Sequence, residues 1–373
     1  MTEPTPSSRL SKSLKRIQVP SESPRSDQET SWKGLDIHWP AGLGPKPEPI
    51  DPRPSADDPL PEVDVIAMMD TSAEAEAMSD VFTPGYLYSS HWYRYARGFD
   101  SKYLNQLGPH APALESKYLG LYFVIHVGSL KVLVYKTNLH FHTDGKRLPD
   151  GSYTVPIRDM LAQIIAEAKP KLFLTTGTSG GVYCSMQLGD VTVTRAAHFL
   201  CEQNYKSASF NGKTYASKWE VPTKYEQTAH QLMHGFAGEL TGKGTPPVAD
   251  CSCNPSNVYP TRIYFDGRGG IPPFHPVVTT DFFDYGTSTN GLDKIGVAVE
   301  MDDAVLGLVC SQMEKPPHWA SVRNLSDPCI NGKLDTSAQG HCADFYYDKY
   351  GYWTTVMSGI TTWSLIAGFG DQK

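Results

Sequence analysis

The feature that most constrains the fold is a change of hydrophobic period that repeats along the chain. The stretch VPIRDMLAQIIAEAKP (155–170) places Met160, Leu161, Ile164 and Ile165 on one helical face and stops at Pro170. The run LFLTTG follows at once and is continuously apolar at its start, as a buried strand is. The same switch occurs where VDVIAMM (63–69) meets SAEAEAMSDVF, a helix start with acidic residues near its positive end. It occurs again within GVAVEMDDAVLGLVC (296–310), a strand running into a helix. LGLYFVIHVG and LKVLVYKT read as a hairpin turning at Gly128 and Ser129. HPVVTTDFF and HWASVRNLSD read as strands, and an apolar helix at roughly 350–367 closes the chain. Strands alternating with helices in this way predict an α/β fold.

The pattern starts only at residue 63. Residues 1–62 hold 12 of the 29 prolines among Ser, Asp and Glu, with little to bury, and are expected to form a disordered Pro-rich N-terminal tail. Within it, RLSKSLKRIQ spaces Leu10, Leu14 and Ile17 helically among four basic residues, and SWKGLDIHWP is apolar enough to pack back on the body. Residues 63–373 form the expected catalytic domain, interrupted by a long insertion at 202–275 that is irregular except for a helical piece around YEQTAHQLMHGFAG.

A formal charge of -7 offers no basic face for a phosphate backbone, so no nucleic-acid partner is expected. No run of 18 or more apolar residues exists and the N-terminus lacks the apolar core of a secretory signal, which predicts a cytoplasmic protein without a membrane partner. Seven scattered cysteines, an odd number without a CxxC pair, do not suggest a disulfide framework. The CxC of Cys251 and Cys253 supplies at most half of a zinc site, so no metal is expected.

In an open α/β sheet, ligands bind at the carboxyl ends of strands. Five such ends carry polar or aromatic punctuation: DTSAEAE, TTGTSGG, TTDFF, VEMDD and RNLSDP. Each alone is explained by a tight turn, a helix start or a loop cap. Their order is more telling. TTGTSGGV…LGDVTVTRAAHF, then TTDFFD, then AVEMDDAVLGLVC, then VRNLSD resembles the purine nucleoside phosphorylase and nucleosidase superfamily, especially its methylthioadenosine/S-adenosylhomocysteine nucleosidase branch, over roughly residues 63–370.

The resemblance implies a three-layer α/β/α fold with a mixed central sheet. It also implies a role for each matching residue. Thr178 would sit by the ribose in a small-residue loop, where Gly180 and Gly181 let backbone approach the ligand. Phe283 matches an aromatic that stacks on the base, with Asp284 along the base edge. Met301 and Asp302 match the pair that packs under the ribose and holds its hydroxyls, Asp302 being one methylene shorter than the family's Glu. Asp327 matches the general acid that protonates the leaving purine, tuned by Ser326, while Arg323 orients a carboxylate or binds an anion.

Phosphorylases of this superfamily need arginines around phosphate. The chain has Thr175 and Thr176 before the small-residue stretch and no Arg in the first strand-to-helix turn. Glu74 stands where counting from the strand matches the glutamate that activates water, with Glu76 as the fallback; a first-turn helix residue favoured by the dipole is the rival account of Glu74, and the missing arginines favour the catalytic one. The expected reaction is hydrolysis of an adenine-type nucleoside or nucleotide without a cofactor. A phosphorylase using Arg94 or Arg97 and a catalytically silent nucleoside-binding module are the rivals. The stretches HWYRYARGFDSKY and TNLHFHTDGK are polar where a methylthio pocket would be apolar, which leaves room for a free 5′-hydroxyl or a phosphate. A homodimer or larger even assembly is implied, with His91–Phe99 as the contribution to a neighbour.

Overall fold

The computed structural model describes residues 34–254 and 261–372. The basic stretch RLSKSLKRIQ, with its helical spacing, lies outside the described residues. Residues 34–62, expected to belong to the tail, instead run along the body. Trp39 packs on Trp363 with ring centroids 4.7 Å apart, and the Trp363 indole N–H donates to the Leu43 carbonyl at 2.7 Å. Strand β1 (Lys46–Pro47) joins the sheet and Leu60 is buried. The apolar residues spaced through this Pro-rich stretch are enough to hold it down once a groove exists to receive them.

The expected elements form. Strand β2 (Val65–Met69) is buried along its whole length and leads into α1 (Ser72–Phe82). The short strand β3 (Tyr93–Tyr95) and the hairpin of β4 (Gly120–Val127) and β5 (Leu130–Thr137) form one side of the sheet, with Gly128 at positive φ in the turn. Helix α2 (Pro156–Ala168) starts on a proline, whose missing N–H costs nothing there, and feeds β6 (Leu172–Gly181).

Past β7 (Val191–Thr194) and β8 (Ala196–Leu200), the insertion contributes β9 (Thr214–Ala216), helix α3 (Glu226–His234) and β10 (Ile263–Phe265). Then come β11 (Val277–Thr280), β12 (Ala298–Glu300), α4 (Asp303–Ser311), β13 (His318–Asp327) and α5 (Thr336–Gly370). The strands join in one mixed sheet whose main path is β1-β4-β5-β2-β6-β12-β11-β8-β9. Helices α1 and α3 pack with α5 on one side, and α2 packs with α4 on the other, giving α/β/α layers.

Two features differ from expectation and both shape the site. The small residues TTGTSGG continue β6 to Gly181 rather than forming a loop. β6 holds β13 along one edge, while its other edge pairs first with β2 and then, at Gly180 and Gly181, with β12. The sheet therefore opens beside the end of β6. The last helix begins at Thr336, capped by the Asp335 side chain, well before the apolar run at 350–367. The helix is continuously buried from Thr354 to Phe369.

Candidate active site

The carboxyl ends of β2, β6, β11, β12 and β13 face one cavity, and the opening turns of α5 cover part of it. All ten residues expected from sequence line it: Glu74, Thr178, Gly180, Phe283, Asp284, Met301, Asp302, Arg323, Ser326 and Asp327. Glu76, the fallback base, does not. Asp70, His140, His142, Glu300, Asp344 and Tyr347 also line it and were missed.

Glu74 is the third residue of α1, and Thr71 caps that helix: Glu74 N–H donates to Thr71 Oγ1 at 3.2 Å while Thr71 N–H donates back to Glu74 Oε2 at 2.9 Å. Asp70 N–H donates to the same oxygen at 2.9 Å. The other carboxylate oxygen accepts from both the N–H and the hydroxyl of Thr178, each at 2.7 Å. The first-turn role and the cavity role thus coincide in one side chain. Gly177 makes this approach possible, since a Cβ there would lie 2.5 Å from Glu74 Oε1 and 2.8 Å from Arg323 Nη1.

Arg323 is buried and committed to carboxylates. It donates from Nε to Asp303 Oδ2 at 2.8 Å and from Nη2 to Asp70 Oδ2 at 3.0 Å, and lies 3.5 Å from Glu300 Oε2. Of the two roles open from sequence, orienting carboxylates is the one observed. Burial pushes Asp70 up to about 8, reinforced by Asp302 and opposed by Arg323. Burial and the neighbouring Asp303 hold Glu300 well above the usual carboxylate range. Glu300 also accepts the backbone N–H groups of Asp302 at 2.6 Å and Asp303 at 3.0 Å, fixing the start of α4.

Asp302 does not present a free carboxylate. Its Oδ1 accepts Phe141 N–H at 2.6 Å and its Oδ2 lies 3.6 Å from His140 Nδ1. Burial alone would raise Asp302, but the His140 hydrogen bond and charge keep it below its ordinary value. The same contact lifts His140 to about 8 against the effect of its burial. The side chain that is one methylene shorter than the family's Glu is thus tied to the 140–142 segment.

Asp327 ends β13 and is buried. Burial raises its carboxyl to about 7; the Ser326 hydroxyl, donating to Oδ1 at 3.1 Å, pulls the other way, and Asp344 and Asp284 add to the rise. Phe283 is exposed for a large aromatic, with 41% of its surface free, and its ring stands 6.1 Å from Tyr285. Burial raises Asp284 to about 6. Gly180 lines the cavity and is also tightly packed: a Cβ there would lie 2.8 Å from Gly286 N and 3.1 Å from Asp327 Oδ2. Gly181 likewise faces Cys329 N.

Other expectations are corrected here. Cys184 pairs with Cys253 and Cys251 with Cys342, with Cα atoms 5.6 and 5.5 Å apart, leaving Cys201, Cys310 and Cys329 free. The odd count arises from these three buried thiols. The partners lie 69 and 91 residues apart, so spacing carried no signal. Among His91–Phe99, Trp92, Tyr93, Tyr95 and Phe99 are buried in the chain's own core. No helix among the described residues is long and apolar enough to cross a membrane.

No family model and no curated protein matches the chain. Among solved structures it is similar to the 5′-methylthioadenosine/S-adenosylhomocysteine nucleosidase of Neisseria meningitidis in complex with methylthio-immucillin-A, at 14% identity and a TM-score of 0.45, over 82% of this chain and 99% of that one. Futalosine hydrolase of Helicobacter pylori is similar at 10% identity and TM-score 0.45, over 82% and 97%. The apo 5′-methylthioadenosine nucleosidase of Arabidopsis thaliana is similar at 13% identity and TM-score 0.44, over 82% and 96%.

Proposed function

We propose that the chain is an N-glycosyl hydrolase that splits an adenine-type nucleoside into free base and sugar. The observation that carries this reading is Asp327: a buried carboxyl raised to about 7, opening on the same cavity as an exposed aromatic and a second carboxylate. Cleaving an N-glycosidic bond leaves the sugar oxocarbenium-like and sends the bond's electron pair to the purine. A proton passing from Asp327 to the imidazole ring of that purine stabilises the leaving group. Phe283, an exposed aromatic in the cavity lining, is the candidate to stack on the base, and Met301, also in the lining, the candidate to pack under the sugar, as the resemblance implies. Glu74, fixed by α1 and Thr178, is the candidate base that takes a proton from the attacking water.

Hydrolysis is favoured over phosphorolysis by the state of Arg323, the one arginine among the described cavity residues, which is engaged by Asp70, Glu300 and Asp303. The two arginines a phosphorylase was expected to recruit are elsewhere: Arg94 lies over the Tyr118 ring and Arg97 pairs with Glu167. A silent binding module is the second reading, favoured by the four donors that already occupy Glu74. An even homo-oligomer rests on the sequence resemblance alone. The cytoplasmic expectation is opposed by the two disulfides, which form and persist in oxidising compartments.

The test is Asp327→Asn assayed on adenosine and on a nitrophenyl riboside, whose leaving group needs no proton. Turnover of adenosine should fall by about 100- to 10,000-fold, the usual worth of a general acid. The riboside should lose much less. Equal losses would assign Asp327 a positioning role instead.

A further inference from the structure

We propose that His142 reads a hydroxyl group of the sugar, and that the cavity takes neutral nucleosides and turns away their 5′-phosphates. The proposal rests on the nucleoside reading of the cavity and names the substrate class within it.

His142 lies in the single helical turn Phe141–Asp144 and is 6% exposed, yet it lines the cavity. Among the described residues neither of its ring nitrogens has a hydrogen-bond partner. A buried imidazole with both nitrogens idle is an unfavourable arrangement unless a ligand completes it. Burial drives its pKa down to about 4, against the attraction of Asp302, so the ring is neutral and carries one donor and one acceptor. That pairing suits a hydroxyl, which can donate to one group while accepting from another.

The sheet register says which end of a ligand would meet it. Asp327 and Val299 both register with Gly180 of β6, from opposite edges. Because β12 runs antiparallel to β6, the chain leaving β12 at Glu300 heads back along β6 toward Thr178, away from the Gly180 level that Asp327 shares. His140 is held by Asp302, and the His142 ring centroid is 6.2 Å from that of His140. The histidines therefore occupy the end of the cavity away from the acid. A nucleoside with its base between Phe283 and Asp327 directs its sugar at them.

The cavity lining does not favour a phosphate. Asp302 stands beside His140, and Asp70, Glu74 and Glu300 add further carboxyl groups to the lining. Arg323 is engaged by carboxylates and His140 by Asp302. Asp144, behind the histidines, accepts from His140 N–H and the Thr143 hydroxyl. A dianion placed here would gain no uncommitted cation among the described lining residues.

The test is calorimetric titration in an Asp327→Asn background, which slows turnover, using adenosine, its 2′-, 3′- and 5′-deoxy analogues, and AMP. One deoxy analogue should bind about 5- to 150-fold more weakly than adenosine, the range for a lost hydrogen bond that strands a buried partner. AMP should bind at least ~10-fold more weakly. Adding His142→Phe should bring adenosine down to the level of that analogue and leave the analogue unchanged, whereas His142→Gln, which keeps a donor and an acceptor, should preserve part of the gap. Equal affinity for all the deoxy analogues, equal affinity for AMP, or a uniform loss across ligands in His142→Phe overturns the proposal. Wild-type protein that shows the discrimination but releases no base removes the hydrolase reading and leaves His142 standing; failure to bind any nucleoside removes both.

Discussion

Asp327 shows how one residue's surroundings set its chemistry. A carboxyl near its ordinary value would have lost its proton long before neutral pH and could not serve as an acid. Burial at the end of β13, with Asp344 and Asp284 nearby, brings it to about 7. The acid works in its protonated form, so catalytic activity should be full below that value and fall about tenfold per pH unit above it, as the proton is lost. A rate–pH profile of turnover at saturating adenosine checks this. A profile flat from pH 6 to 9 would mean that Asp327 carries no rate-determining proton. The residue was readable from the NLSD pattern, whereas His142 was not singled out: its significance lies in two unpartnered nitrogens, which only three-dimensional packing reveals.

At the level of elements, periodicity served best where one face of a helix or a whole strand is buried. α2 and the β4–β5 hairpin are such cases, and both form as expected. Periodicity failed where burial depends on a distant partner. The start of α5 carries few apolar residues, so its role in covering the cavity with Asp344 and Tyr347 left no sequence signal. The segment at 34–62 reads as part of a tail, and although SWKGLDIHWP is apolar enough to suggest packing on the body, its partner was not legible: Trp39 meets Trp363 more than three hundred residues away. Trp39→Ala should therefore destabilise the fold by roughly 2 kcal/mol, less than the 3–5 kcal/mol typical of a fully buried Trp because Trp39 is only partly buried. Chemical denaturation measures the loss; an unchanged midpoint would show that this segment adds nothing to the body.

Taken as a whole molecule, the chain was legible in its order of strand ends, since an α/β sheet gathers those ends along one edge whatever lies between them. The ten residues drawn from five separated stretches do line one cavity. The disulfides were illegible for the complementary reason: each links segments that sequence proximity does not connect, and both tether the 251–253 segment, to Cys184 and to α5. The same tertiary arrangement occupies Arg323 and Asp302 with protein partners, so the one arginine among the described cavity residues is already engaged by carboxylates.

The central claim is that this cavity hydrolyses a nucleoside with Asp327 as the acid. It is tested most directly by incubating the protein with adenosine in phosphate-free buffer and separating the products by chromatography. The account predicts adenine and free ribose in equal amounts, at a rate that added phosphate does not change and that Asp327→Asn lowers by at least about 100-fold. Base release that requires phosphate and yields ribose 1-phosphate, or tight adenosine binding with no release of base, would contradict it.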